Sequence, residues 1–362
     1  DMKASQRPKK IFCSKRVKKI NSMKGLSFFN KIVFTINCLF AIILLLACLC
    51  PFVSVATLPF LPFLGLSVPF LVGVNLFFVL FWALKWKRQV RLSLITLIIG
   101  YLTLGTFIRF GAKEKVKEAD DLTILSYNVR SFNVNKNIQS ETVFEDIKAF
   151  VDREKPDVVC FQETGYLRRM EYTEYPYKHL EYINNPHKVL VGIFSKYPIV
   201  NAELLNFPNT RNNATYADIA YQNDTIRIYN LHLQSLGITP GSGIIKGSST
   251  EKLYAQLTKS FQKQEEQANF ILEHRNTTDR KTLICGDFNN NQYSRAYHLL
   301  KGEKLDSFNE MGQGYGRTYL FHGMPVRIDF ILADSDFEVV SHKNFDIQFS
   351  DHYPVLASFR LK

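Results

Sequence analysis

A set of short β-branched and aliphatic runs, at 122–125, 157–161, 225–229, 282–285 and 355–357, constrains this chain most, because polar motifs accompany them in a fixed order. The motifs are Ser126-Tyr127-Asn128, Gln162-Glu163, Asn230-Leu231-His232-Leu233, Gly286-Asp287-Phe288-Asn289 and Ser350-Asp351-His352, with Arg327-Ile328-Asp329 just before the last. Runs of this length and composition, closed by an Asn, Asp, Glu or His, read as buried strands that each deliver one polar side chain to a common edge. Between them, Val143, Ile147, Phe150 and Val151 have helical spacing over 141–153, and 250–274 reads as a long helix. Asn223-Asp224 reads as a hairpin turn. Strands and helices alternate without strict βαβ order, which fits a layered α/β sandwich.

The front of the chain is different. The stretches 32–50, 66–84 and 92–108 are apolar and hold no acidic residue, and each approaches the roughly 20 residues needed to cross hydrocarbon. The expected organisation is a basic tail over 1–31, a membrane region with three transmembrane helices over 32–110, a charged linker over 111–121 and a catalytic domain over 122–362. Lys and Arg concentrate in the tail and in the 85–91 loop, while 51–65 carries no charge. By the positive-inside rule the tail and the 85–91 loop are cytoplasmic. Three spans then place the catalytic domain outside the cytoplasm, in an integral protein of a bacterial inner membrane. Two spans would place it inside.

The formal charge of +12 belongs to this front part. Of 45 Lys and Arg and 33 Asp and Glu, residues 1–110 hold fifteen basic and one acidic, leaving thirty basic and thirty-two acidic, a net of −2, for 111–362. The domain therefore has no overall electrostatic footprint for a polyanion, and nucleic acid is not the favoured partner. Cys160 and Cys285, inside strand runs, read as buried small hydrophobes, and no cysteine spacing matches a zinc site.

Together the ordered motifs resemble the endonuclease/exonuclease/phosphatase superfamily of metal-dependent phosphoesterases, over about 122–359. The resemblance implies a four-layer sandwich: two packed mixed β-sheets flanked by helices, as in DNase I. It implies Mg²⁺, with Mn²⁺ as the alternative, held by Glu163 with Asn128 beside it and Asp351 contributing. It assigns Asp287 to orient or deprotonate water, Asn289 to bind a phosphate oxygen, and His352, partnered by Asp329, to act as general acid or electrostatic stabiliser. His232 is expected to donate to phosphate, and Arg211 to contact it. The other histidines, among them His187, His322 and His342, are expected at the surface or in loops, and the Gly/Ser-rich segment 240–249 is a candidate lid.

Three departures bear on substrate. Apurinic endonucleases of the exonuclease III type resemble Asn-x-Asp in the first motif, Lys after Gln-Glu-Thr and Tyr in the third motif. Here these positions hold Arg130, Gly165 and His232. The expectation is a membrane-anchored phosphodiesterase or phosphatase acting on a lipid headgroup or small phosphorylated molecule. An anchored DNase I-like nuclease and a non-catalytic binding module are the alternatives, and the second would require loss of motif residues.

Overall fold

In the computed structural model, two parallel strand pairs decide where the polar strand ends go. The structure describes residues 25–111, 115–136, 138–165, 173–181, 188–238, 249–321 and 324–362. The tail up to residue 24, the lid candidate over 240–248, and His187 and His322 lie outside the described residues.

Three helices come first: α1 (Phe28–Ala47), α2 (Leu61–Leu84) and α3 (Val90–Leu104). Then follow β1 (Arg109–Phe110), β2 (Leu122–Asn128), α4 (Val143–Glu154), β3 (Val158–Gln162), β4 (Tyr177–His179), β5 (Val191–Ser195), β6 (Ile199–Leu205), β7 (Ala214–Tyr221) and β8 (Asp224–His232). After α5 (Thr250–Arg275) come β9 (Thr282–Asp287), α6 (Arg295–Lys301), β10 (Leu305–Asp306), α7 (Ser307–Met311), β11 (Gln313–Gly314), β12 (Tyr319–Phe321), β13 (Met324–Val326), β14 (Asp329–Ala333), β15 (Phe337–Asn344) and β16 (Val355–Leu361).

Two six-stranded sheets form, ordered β10-β14-β9-β8-β7-β6 and β15-β16-β2-β3-β5-β4. Each contains one parallel pair, β8 with β9 and β2 with β3, and the remaining pairs are antiparallel. A parallel pair needs a crossover connection, here α4 and α5, and it brings two strand C-termini side by side. The aliphatic faces of the sheets meet in one core that includes Ile124, Val158 and Cys160 from one sheet and Ile228, Leu283 and Cys285 from the other. Cys160 and Cys285 are free thiols there. Phe144, Ile147, Phe150 and Val151 of α4 cover the outer face of one sheet, and Ala268 and Ile271 of α5 that of the other. The four-layer sandwich of mixed sheets is borne out.

The three N-terminal helices pack on one another. Asn37 on α1 donates to Ser93 on α3 at 2.6 Å and accepts from the Trp82 ring N–H on α2 at 3.0 Å, a buried polar knot typical of helices packed in apolar surroundings. Their course is up, down and up again. Lys85, just past α2, reaches Asn30 near the start of α1 at 3.4 Å. The opposite ends meet the sandwich: the Pro51 carbonyl accepts from Arg295 at 2.7 Å, Val55 N–H donates to Glu265 at 2.8 Å, and the Gly65 carbonyl accepts from Asn291 at 3.1 Å. The chain leaving α3 is fastened too, Phe107 lying 5.9 Å from the Tyr315 ring and β1 pairing with β11. Helices α1 and α2, of 20 and 24 residues, are long and apolar enough to cross a membrane. Helix α3 has 15 residues, a length of about 22 Å against the ~30 Å of hydrocarbon.

The charged stretch after α3 lies on the domain: Asp121 accepts from Arg360 at 2.9 Å, and Lys115 pairs with Glu338 at 2.7 Å. His342, expected at the surface, is buried in β15, where Ser307 and Asn344 satisfy both ring nitrogens at 2.9 and 3.2 Å.

Candidate active site

His232, Asp287 and Asp329 stand in one row across three adjacent strands. His232 on β8 is in register with Asp287 on β9, and Asp287 with Asp329 on β14. From the facing sheet, Asn128 closes β2 in register with Gln162 on β3, and Glu163 follows. Because His232 and Asp287 end one parallel pair and Asn128 and Gln162 the other, with Asp329 opening antiparallel β14 beside Asp287, they converge at one end of the sandwich.

The contacts are short. The Asn128 amide donates to Asp287 at 3.0 Å and to Glu163 at 3.2 Å, joining the two sheets' carboxylates. His232 Nε2 lies 3.6 Å from both Glu163 Oε1 and Asp287 Oδ2. His352 Nδ1 sits 3.0 Å from Asp329 Oδ2, and its Nε2 faces Asp287 Oδ2 at 3.6 Å. Asn289 N–H donates to Asp287 Oδ1 at 2.7 Å. Its side-chain amide donates to the Leu233 carbonyl at 2.9 Å and to Asp287 Oδ2 at 3.2 Å. Gly286 is required at its position: φ is +132°, and a Cβ would stand 2.0 Å from the Leu231 carbonyl oxygen across the ladder.

Electrostatics separate the roles. Burial pushes the Asp287 carboxyl up to about 6, with neighbouring Asp329 adding to the rise and His352 opposing it. Burial disfavours charge on His352, but the Asp329 and Asp287 carboxylates outweigh it and raise the imidazole to about 10. At neutral pH His352 is therefore a cation between two carboxylates.

Asp287, Asp329 and His352 present ligand atoms within 4.8 Å of one another, a grouping that could hold a metal ion. It is not the set that the sequence pointed to. Within it the His352 imidazole faces Asp329 at 3.0 Å and Asp287 at 3.6 Å. Glu163, partly exposed to the cavity and flanked by Asn128, keeps an oxygen donor suited to a hard cation.

Asp351 is held by Arg130 at 2.5 Å, and Arg130 occupies the place where a second acidic group was missing. Arg211 is not among the described residues that line the cavity. It is exposed on the segment between β6 and β7, while its neighbours Asn212 and Asn213 turn inward to the Leu233 carbonyl and the Val189 carbonyl. An exposed arginine beside a strand has the same sequence signature wherever it points.

A cavity of about 430 Å³ opens over the cluster, lined by Glu163, Asp287, Asn289, Asp351 and His352 and also by the apolar Leu66, Pro69 and Phe107 of the helical region. Sequence reasoning missed this apolar wall and the polar supports beneath the site. Gln162 donates to Asn230 across the sheets at 2.7 Å, and Thr318 Oγ1 accepts from the Asp329 N–H at 3.0 Å. Gln162 and Asn230 were visible as motif members, but their support role was not. Arg327 of the Arg-Ile-Asp motif is buried against Asp306 at 2.8 Å with aromatic rings around it.

Comparison with known proteins agrees with this geometry. Residues 125–352 match the Endonuclease/Exonuclease/phosphatase family, and residues 30–107 match a domain of unknown function. The chain belongs to the endonuclease/exonuclease/phosphatase family. Fold and family define a phosphoester hydrolase of the nuclease and phosphatase type. Humanized TDP2 from D. rerio, carrying 14 mutations, is 16% identical, with 67% of this chain and 100% of that chain covered and a TM-score of 0.51. A functionally unknown conserved protein from Enterococcus faecalis V583 is 15% identical, with 67% and 100% covered and a TM-score of 0.51. A family protein from Bacteroides thetaiotaomicron is 16% identical, with 67% and 98% covered and a TM-score of 0.50. Among curated proteins, none matches.

Proposed function

We propose that this chain is a membrane-anchored, divalent-metal-dependent phosphoesterase, taking Mg²⁺ or Mn²⁺ and acting on a lipid headgroup or a small phosphorylated molecule. The observation that carries the reading is that Glu163, Asp287 and His352, from separate parts of the sequence, line one cavity. Glu163 and Asn128 would hold the cation, which supplies neutralisation of phosphoryl oxygen charge when bound. Asp287, fixed by the Asn289 and Asn128 amides, accepts a proton from the attacking water. His352, kept charged by Asp329, donates to the leaving oxygen or stabilises it. His232 Nε2 supplies a further donor on the phosphoryl side. Asn289, with its amide committed to Leu233 and Asp287, serves mainly to hold Asp287.

Anchoring rests on α1 and α2, long and apolar enough to span, and on the alternating course of the three helices. That course keeps the basic 85–91 loop at the end away from the sandwich, and with α3 taken as the third crossing it supports a catalytic domain outside the cytoplasm.

A nuclease is the second reading, favoured by D. rerio TDP2, 16% identical with a TM-score of 0.50, whose structure was solved with a single strand DNA product. The test is a screen of the full chain in detergent against phospholipids, nucleotides, sugar phosphates and nucleic acid, with and without chelator. Chelator-sensitive hydrolysis of a lipid or small phosphoester supports the proposal. Activity on nucleic acid alone, weakening steeply with salt, would favour the nuclease. Absence of hydrolysis throughout would leave a binding module.

A further inference from the structure

Resting on the phosphoesterase reading, we infer that the substrate is an amphiphile whose phosphoester reaches the polar cluster while its hydrocarbon chain lies along Leu66, Pro69 and Phe107. These three residues belong to the helical region, two on α2 and one just past α3, yet they line the same cavity as Glu163, Asp287 and His352. One wall of the site is therefore built by a helix apolar enough to lie in a bilayer. Leu66 is 37% exposed, and Phe70, one turn further along α2, is 64% exposed. The rim continues in kind, with Tyr315 53% and Met324 59% exposed. An exposed apolar surface that runs on into a reactive cavity marks an interaction site rather than a solvated one.

A hydrocarbon chain moving from a bilayer to this cavity can stay against apolar atoms, and each methylene kept out of water is worth up to about 0.8 kcal/mol. A water-soluble phosphorylated molecule gains nothing from such a wall. A polynucleotide would need free cations along its backbone. Among the described residues of the lining, the two arginines, Arg130 and Arg327, are already paired with Asp351 and Asp306.

The test uses the full chain in detergent micelles at fixed detergent concentration, with p-nitrophenyl phosphodiesters carrying butyl or dodecyl chains and Mg²⁺ or Mn²⁺ present. The expected kcat/KM is at least tenfold higher for the dodecyl ester. Leu66→Gln and Phe107→Ala should each reduce the dodecyl-to-butyl ratio at least fivefold, whereas His352→Ala should lower both esters alike. Simple partition of the long ester into micelles would leave the ratio intact in both wall variants, and that result overturns the inference. Equal rates for the two esters in the parent chain also overturn it while leaving the phosphoesterase reading in place. Hydrolysis of neither ester with either metal would sink both.

Discussion

Asp287 and Asp329 are direct cross-strand partners on β9 and β14, and their carboxylates hold the His352 ring from its two nitrogen edges, at 3.6 and 3.0 Å. Antiparallel register thus fixes the spacing of the two carboxylates, and His352, on the segment between β15 and β16, enters between them. Asp329→Asn should keep the fold but remove the charge that orients and protonates the imidazole. The expected loss in kcat is roughly 10²–10⁴, measured on a p-nitrophenyl phosphodiester. The sign of the pH effect also follows. Asp329 raises the His352 pKa, so its removal lowers it, and the fall of activity at high pH should move to lower pH.

Chelation should abolish hydrolysis, and added Mg²⁺ or Mn²⁺ should restore it. Glu163→Gln keeps the shape and the contact with Asn128 but loses the anionic donor. The concentration of metal needed for half-maximal rate should then rise by about 10-fold or more, the usual scale for disturbing a metal's surroundings. An unchanged metal requirement in this variant would remove Glu163 from the ion's ligands.

Stability should fall in mild acid. Burial pushes His342 and His298 down to about 4, so the unfolded chain takes up protons first, near the ordinary histidine value of about 6.5. The stability tied to their neutrality is complete above that value and is lost as pH falls toward 4. Each contributes a slope of roughly 1.4 kcal/mol per pH unit at most in that window. The melting temperature of the detergent-solubilised chain between pH 7 and 4 reads this directly, and His342→Gln should flatten the dependence. An equally steep profile in the variant would argue against it.

Gly286→Ala should fail structurally rather than catalytically. The added methyl meets the Leu231 carbonyl oxygen of the paired strand at 2.0 Å, where neither backbone can give way. A loss above about 4 kcal/mol is expected, read by thermal or denaturant unfolding. An alanine variant that melts like the parent would mean the ladder relaxes there.

Much of this was legible before any coordinates. Strand runs ending in Asn128, Glu163, His232 and Asp287 carry their own punctuation, and buried strands with β-branched residues leave few alternatives. The edge strand β6 was not legible. Its alternation is broken by the exposed Val200 at a register shift and by the Leu204-Leu205 pair, so the period-2 signal is short and weak. The supporting partners were beyond reach for another reason. Gln162 with Asn230, and Arg130 with Asp351, are separated by 68 and 221 residues, and only the packing of the sheets brings them together. The cavity's apolar wall depends on how the helices dock, which no motif encodes.

The bond from Asn291 to the Gly65 carbonyl carries one further consequence. Only one residue separates Asn291 from Asn289, so the strip of backbone that sets Asp287 is stapled to α2, an apolar helix long enough to cross a bilayer. Cutting the chain near residue 119 to obtain a tractable soluble piece would unpin that strip. It would also strip the cover from Phe261 and Tyr293, which now bury against Phe63 and against Leu44 and Val68. Such a fragment would be sticky and its reactive centre slack, and a feeble rate from it would say little about the intact molecule.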